Sequence, residues 1–290
     1  MTNEFNKLDR YRRENQYVFL NSGQVPGIQS VSFENDFGAF PVQFVGLNYV
    51  NLAPNQPQEG RIRIDRLIID GTDHFKPYTG DLGFNLYALK DQHNPVDNYG
   101  CTSGYLVNYS TRCSLGQIPR TEVGIISFGN LGKIPSGESV DTAAQFINIQ
   151  TATETTDLKM PGPGSISLTL NNDFTLNRLL SYDVNITVDR KPIYPLGSRY
   201  PISVETNYPI DVNINFTFDL ADYSGYSIRD FPASPKTGNL ILNINNFRDN
   251  TLIQNFSFSG VTLVSENYSS DVDGNVLVNA RYRKLMSRVY

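Results

Sequence analysis

The chain has 290 residues, with 24 Lys and Arg against 29 Asp and Glu, a formal charge of −5. That balance excludes a strongly basic nucleic-acid clamp. Charged residues make up only 18% and aromatics 12%, as 17 Phe and 17 Tyr with no Trp, which is too apolar for a disordered chain.

At about 150 residues per domain, the length admits two ordinary domains or one large one. No run approaches the roughly 18 apolar residues of a membrane-spanning helix. The start, Met1-Thr2-Asn3-Glu4-Phe5-Asn6-Lys7-Leu8, is polar where a secretion signal carries an apolar block, so neither a membrane partner nor export by that route is expected. Without export, Cys101 and Cys113 are expected as free thiols rather than as a bridge. The Asn-x-Ser/Thr triplets beginning at Asn108, Asn185, Asn215, Asn255 and Asn267 then read as chance matches in an Asn-rich chain.

In chain order, residues 105–115 alternate as a strand with Val107, Tyr109 and Cys113 expected on one face. The spacing of Val140, Ala143, Ala144 and Ile147, with Ser139 as a cap, predicts one short helix over 139–146. Ile166, Leu168 and Leu170 alternate with Ser165, Ser167 and Thr169; Tyr182, Val184, Ile186 and Val188 alternate with Ser181, Asp183, Asn185 and Thr187. The clearest run sets Val212, Ile214, Phe216, Phe218 and Leu220 against Asp211, Asn213, Asn215, Thr217 and Asp219. Two more strands are expected over 251–263 and 275–282, the latter with Val276, Val278 and Ala280 in register. Strands apolar on one face and polar on the other belong to antiparallel sheets and suit sandwiches or barrels. Pro-Gly-rich pieces between them, such as Pro161-Gly162-Pro163-Gly164, read as turns.

A weak internal repeat places Ser30 on Ser181, Pro41 on Pro192, Val42 on Ile193 and Gly46 on Gly197, a constant offset of 151 (181 − 30). Two tandem β modules, residues 1–157 and 158–290 with the Thr-rich segment 151–156 at their boundary, stand beside one elaborated barrel as the alternative.

The residues offer little for catalysis. His74 and His93 each lie near an Asp in turn-like sequence, without a nucleophile elbow. Two Cys and two His lack the close spacing of a zinc site. Asp271-Val272-Asp273-Gly274 opens like a calcium loop but lacks the distal Glu, and is better read as a hairpin turn. No Gly-rich phosphate cradle is present. No enzyme activity, cofactor or metal is therefore expected. Basic residues gather at both ends, Lys7, Arg10, Arg12 and Arg13, then Arg281, Arg283, Lys284 and Arg288; the second cluster leads into Leu285, Met286, Val289 and Tyr290, which favours subunit contact over a nucleic-acid arm.

The passage from Cys101-Thr102-Ser103-Gly104-Tyr105-Leu106-Val107-Asn108-Tyr109-Ser110 through Leu115-Gly116-Gln117-Ile118-Pro119 to Val123-Gly124-Ile125 resembles the strand-turn-strand of bacteriophage tail tube proteins. Val25-Pro26-Gly27-Ile28-Gln29-Ser30-Val31-Ser32-Phe33 resembles an early strand of that family, and Arg190-Lys191-Pro192-Ile193-Tyr194-Pro195-Leu196-Gly197 the matching passage of a second copy. The resemblance implies an all-β fold, with minor helix, of two tandem antiparallel β-sandwich or β-barrel modules. It implies a structural virion protein assembled in the host cytoplasm, whose partners are copies of itself and other tail proteins. Rings, trimeric with pseudo-sixfold symmetry or else hexameric, would stack into a tube through which double-stranded DNA passes without specific binding. The segments 46–59 and 198–208 are expected as long loops reaching a neighbour, with Leu47, Tyr49, Val50, Leu52, Leu285, Val289 and Tyr290 as subunit contacts. A non-repeating ring protein at the tail tip and a carbohydrate-binding adhesive β-sandwich are the alternatives.

Overall fold

The computed structural model describes residues 17–20, 23–36, 39–43, 50–54, 59–69, 74–75, 84–89, 98–128, 131–134, 159–162, 164–170, 174–176, 178–198, 200–219, 237–270 and 276–287. The strands are β1 (Tyr17–Leu20), β2 (Gly23–Gln24), β3 (Ile28–Asp36), β4 (Ala39–Gln43), β5 (Val50–Pro54), β6 (Glu59–Leu67), β7 (Phe84–Leu89), β8 (Asn98–Ser114), β9 (Arg120–Ser127), β10 (Leu131–Ile134), β11 (Ile166–Leu170), β12 (Phe174–Leu176), β13 (Leu179–Ile193), β14 (Ser203–Asp219), β15 (Thr237–Asn245), β16 (Leu252–Ser269) and β17 (Leu277–Met286). Fifteen of them form one sheet whose pairings are antiparallel, and β4 with β5 forms a two-stranded ribbon. The described residues contain no helix, and the helix expected over 139–146 lies outside them.

Two-residue periodicity explains the elements. Val212, Ile214, Phe216 and Phe218 on β14, and Tyr182, Val184, Ile186 and Val188 on β13, are buried, while the Asp, Asn and Thr residues between them reach the other face. Each such side chain contributes about 1.5–3 kcal/mol by leaving water. Val278, Ala280 and Tyr282 repeat the pattern on β17. Together they enter one apolar cluster that runs from Val18 in β1 to Tyr282.

Two expectations fail for local reasons. On β8 the buried residue is Leu106, with Val107 only half-buried, whereas Tyr109 and Cys113 are buried as expected. The β8–β9 ladder slips between Leu106 and Asn108, and one inserted residue reverses the parity of everything before it. The segments 46–59 and 198–208 are not loops throughout: Val50–Pro54 is β5, and β14 begins at Ser203. Pro54 is the last residue of β5 and pairs with Ala39 in the two-stranded ribbon, an edge setting in which sheets accept proline. The other expected strands differ mainly in length, β16 running on to Ser269 and β17 to Met286. β16 and β17 pair antiparallel with Ser269 opposite Leu277, and the turn expected through Asp273-Gly274 lies outside the described residues.

Strand order recurs along the chain. The first run is ordered β3-β6-β9-β8-β7-β1-β2 and the second β13-β14-β17-β16-β15-β11-β12, so that β13 occupies the place of β3 and its β4 continuation. Registers recur with it. The pair Leu20–Leu86 returns as Leu170–Leu240, Ser30–Asp65 as Ser181–Thr217, Ala39–Pro54 as Arg190–Thr206, and Tyr109–Val123 as Glu266–Ala280. The irregularities fall at matching places: Ile28/Ser30 and Leu179/Ser181, Leu106/Asn108 and Leu263/Ser265, Phe84/Leu86 and Gly238/Leu240. Even the backbone kink repeats, with a positive φ of 58° at Ser103 and 66° at Gly260. Strands β1 to β10 fall within residues 1–157 and β11 to β17 within 158–290.

Candidate assembly interface

The two runs meet edge to edge. Residues Asn108 to Ser114 of β8 pair antiparallel with Thr187 to Ser181 of β13, placing Arg112 opposite Asp183 and Thr111 opposite Val184. The apolar side of this junction is closed over by side chains: Thr111 and Val184 are fully buried, and Tyr109 packs against Phe256 of β16 with ring centroids 6.4 Å apart. Burial raises the Tyr182 phenol far above its ordinary value and pushes the Cys113 thiol up to about 11. Cys101 and Cys113 are both free and buried. Twelve residue steps along a single strand at about 3.3 Å each separate them, several times the Cα distance a disulfide spans.

A buried arginine fastens the junction. Arg190 on β13 follows the parity of Tyr182 to Val188 and so points to the apolar side, where it is 8% exposed. Its Nε donates to the Leu106 carbonyl at 2.8 Å beside the β8 bulge, its Nη1 donates to the Thr206 hydroxyl, and its guanidinium carbon lies 5.7 Å from the Tyr105 ring centre. A charge removed from water is tolerated only with such partners. Sequence reasoning missed this residue, although an Arg on the apolar parity of an alternating strand was a visible signal.

The strands that correspond to the junction pair, β3 and the outer half of β16, each lack one strand neighbour among the described residues. Among the described residues β3 has one strand neighbour, β6, whereas its counterpart β13 has two, β14 and β8. Among the described residues the outer half of β16 pairs with β17 alone, whereas the matching half of β8 pairs with both β9 and β13. Apolar exposure follows. Tyr268 on β16 is 44% exposed and its counterpart Thr111 is 0%; Tyr99 is 37% exposed and its counterpart Phe256 is 2%. Val31 and Phe33 of β3 are half-buried where Tyr182 and Val184 are covered.

On the opposite face, strands β3, β6, β9, β8, β13, β14, β17 and β16 form one continuous polar surface. Five of its arginines meet acceptors, and Arg63, exposed on β6, stands apart from them. Arg283 grips Asp211 with bonds of 2.8 and 3.1 Å, Arg281 donates to Asn213 at 3.1 Å, Arg120 lies 3.6 Å from Asp65, Arg61 lies 3.4 Å from Glu59, and Arg112 meets Glu122. The Arg283 hydrogen bond holds the Asp211 carboxyl below the usual carboxylate range. Burial raises that of Asp183, opposed by the Arg112 charge.

Of the expected contact residues, Leu285 is 54% exposed and lies opposite Asp211 on this polar face, while Val50 and Leu52 fall in β5. Leu47, Tyr49, Val289 and Tyr290 lie outside the described residues, as does His93. His74 is half-buried beside the fully buried Phe75. A groove of about 370 Å³ at one end of the junction is lined by Cys113, Gln117, Gly162, Arg178, Tyr182 and Asp219. Its thiol is pushed up to about 11, which favours the unreactive protonated form, and Arg178 lies 3.7 Å from Asp219. Among the described residues no group of three or more His, Cys, Asp or Glu is placed to hold a metal ion, and no helix is long and apolar enough to cross a membrane. No family model and no curated protein matches the chain.

Proposed function

We propose that the chain is a structural ring-forming subunit, a tandem duplicate of one β module, and that it serves as the tail tube protein of a bacteriophage virion. The observation that carries this is the β8–β13 junction: the chain already joins two like-ordered runs of strands edge to edge and leaves the equivalent edges, β3 and outer β16, at its ends. Repeated registers, matching bulges and the matching kink at Ser103 and Gly260 support the duplication. Open edges on a long sheet invite pairing, and ring closure satisfies them without unlimited growth.

The conduit reading rests on the polar face. Four of its arginines are paired with Asp211, Glu122, Asp65 and Glu59, so passing phosphates meet fewer free cations, although Arg63 and Arg281, the latter bonded to the neutral Asn213, keep their charge. The net charge of −5 acts in the same direction. Ring stacking, a lumen lined by this face, and other tail proteins at the ends of the tube complete the proposal. Electron microscopy of the purified protein and a native mass measurement test it. Stacked rings with an open lumen are expected, and three chains per ring fit a two-module subunit. A protein that stays monomeric under all conditions, or rings that bind double-stranded DNA tightly at physiological salt, would overturn it.

A further inference from the structure

We infer that β3 of one copy pairs antiparallel with the outer half of β16 of the next, in a register set by the chain's own internal junction. The inference rests on the ring-forming part of the proposed function and is independent of what passes through the ring.

The register follows from correspondence. From β3 to β13 the offset is 179 − 28 = 151, and from β8 to β16 it is 269 − 112 = 157. Carrying the pairs Asp183–Arg112, Val184–Thr111, Asn185–Ser110 and Thr187–Asn108 across by these offsets sets Ser32 opposite Ser269, Phe33 opposite Tyr268, Glu34 opposite Asn267 and Asp36 opposite Ser265. None of these places like charges opposite each other. Phe33 and Tyr268, both accessible in the single chain, would cover one another as Val184 and Thr111 do. The partner is a second copy because only the edge that β8 presents matches β3 in position, and within one chain that place on β8 is taken by β13. Pairing of unlike edges is head-to-tail, which builds a ring where the rotation closes and gives no two-fold dimer.

The contact between copies exchanges the Asp183–Arg112 charge pair for Ser32–Ser269, and it also lacks the arginine clamp. Ala39 stands at the position of Arg190, and Thr262 at that of Tyr105. The clamp that crosses the internal junction has no counterpart there, so rings separate into intact chains before the chains unfold.

Cysteine pairs in the full chain test the register. Directly opposite residues bring Cβ atoms to about 4.5–5.5 Å, within reach of a disulfide after small shifts. Under mild oxidation Ser32→Cys/Ser269→Cys is expected to give covalent multimers ending in one closed species on a non-reducing gel. Ser32→Cys/Ser265→Cys, displaced by four residues or about 13 Å along the strand, is expected to run as single chains on that gel, as are wild type and both single variants, since their rings are not covalently linked. Multimers from the displaced pair, from Ser32→Cys alone, or none from the aligned pair would overturn the inference. Linked rings that do not stack into tubes would leave this pairing standing and sink the conduit reading instead.

Discussion

Replacing Arg190 by Met keeps most of the apolar stem and deletes the charge that spans the internal junction. Hydrogen bonds from a charged group contribute about 1.5–3 kcal/mol, and the contact with the Tyr105 ring adds about 1 kcal/mol in a desolvated site. The Leu106 carbonyl and the Thr206 hydroxyl are left without that donor. Relief of guanidinium burial offsets part of the loss, which leaves a net destabilisation of about 2–3 kcal/mol. Because a chain of this size shifts by about 2–4 °C per kcal/mol, urea unfolding of dissociated chains should show a lower midpoint and thermal unfolding a fall on the order of 5–10 °C. The Tyr105 phenol supplies a second readout. Burial raises its pKa and Arg190 lowers it, so a spectroscopic titration should find it higher still in Arg190→Met. A stability change under 0.5 kcal/mol together with an unmoved Tyr105 titration would refute the clamp.

At the repeated kink, Ser103→Gly should stabilise by about 0.5–1 kcal/mol and Gly260→Ser should destabilise by about 1 kcal/mol, measured by urea unfolding; a Cβ at Gly260 meets nothing within 4 Å, so strain alone sets the second value. At the β8 bulge, Leu106→Ala should cost about 2–5 kcal/mol and Val107→Ala less than about 1 kcal/mol; equal losses would contradict the reversed parity. The two aspartates of the polar face should respond in opposite senses. Asp211 has a depressed folded pKa, so its contribution is present above the unfolded value of about 3.9 and fades as pH falls through the folded one; Asp211→Asn should cost only a few tenths of a kcal/mol at pH 7, given its exposure to solvent. Asp183 has a raised pKa, so its ionised form opposes folding above that pKa, and Asp183→Asn should be neutral or stabilising at pH 7; unfolding curves at pH 7 and pH 3 check both signs.

The strand faces were legible in the sequence because a half-buried strand stamps a period of two on its residues, as Val212 to Phe218 and Tyr182 to Val188 do. The 151-residue offset seen at Ser30 and Ser181 was legible too, and it equals the spacing of β3 and β13. Few side chains survive along it, since register depends on backbone pairing and tolerates any side chain of suitable polarity. What only the tertiary structure decided is where alternation is interrupted and what lies beside each strand. The bulge at Leu106 costs one residue and reverses a face, and no local pattern announces it. Arg190 reads as a surface charge until Leu106 and Tyr105, 84 and 85 positions earlier (190 − 106, 190 − 105), are folded against it. Which edge strands remain open is a property of the whole sheet order. Each strand records in its own residues which side faces the core, but it carries no record of which neighbour it lacks.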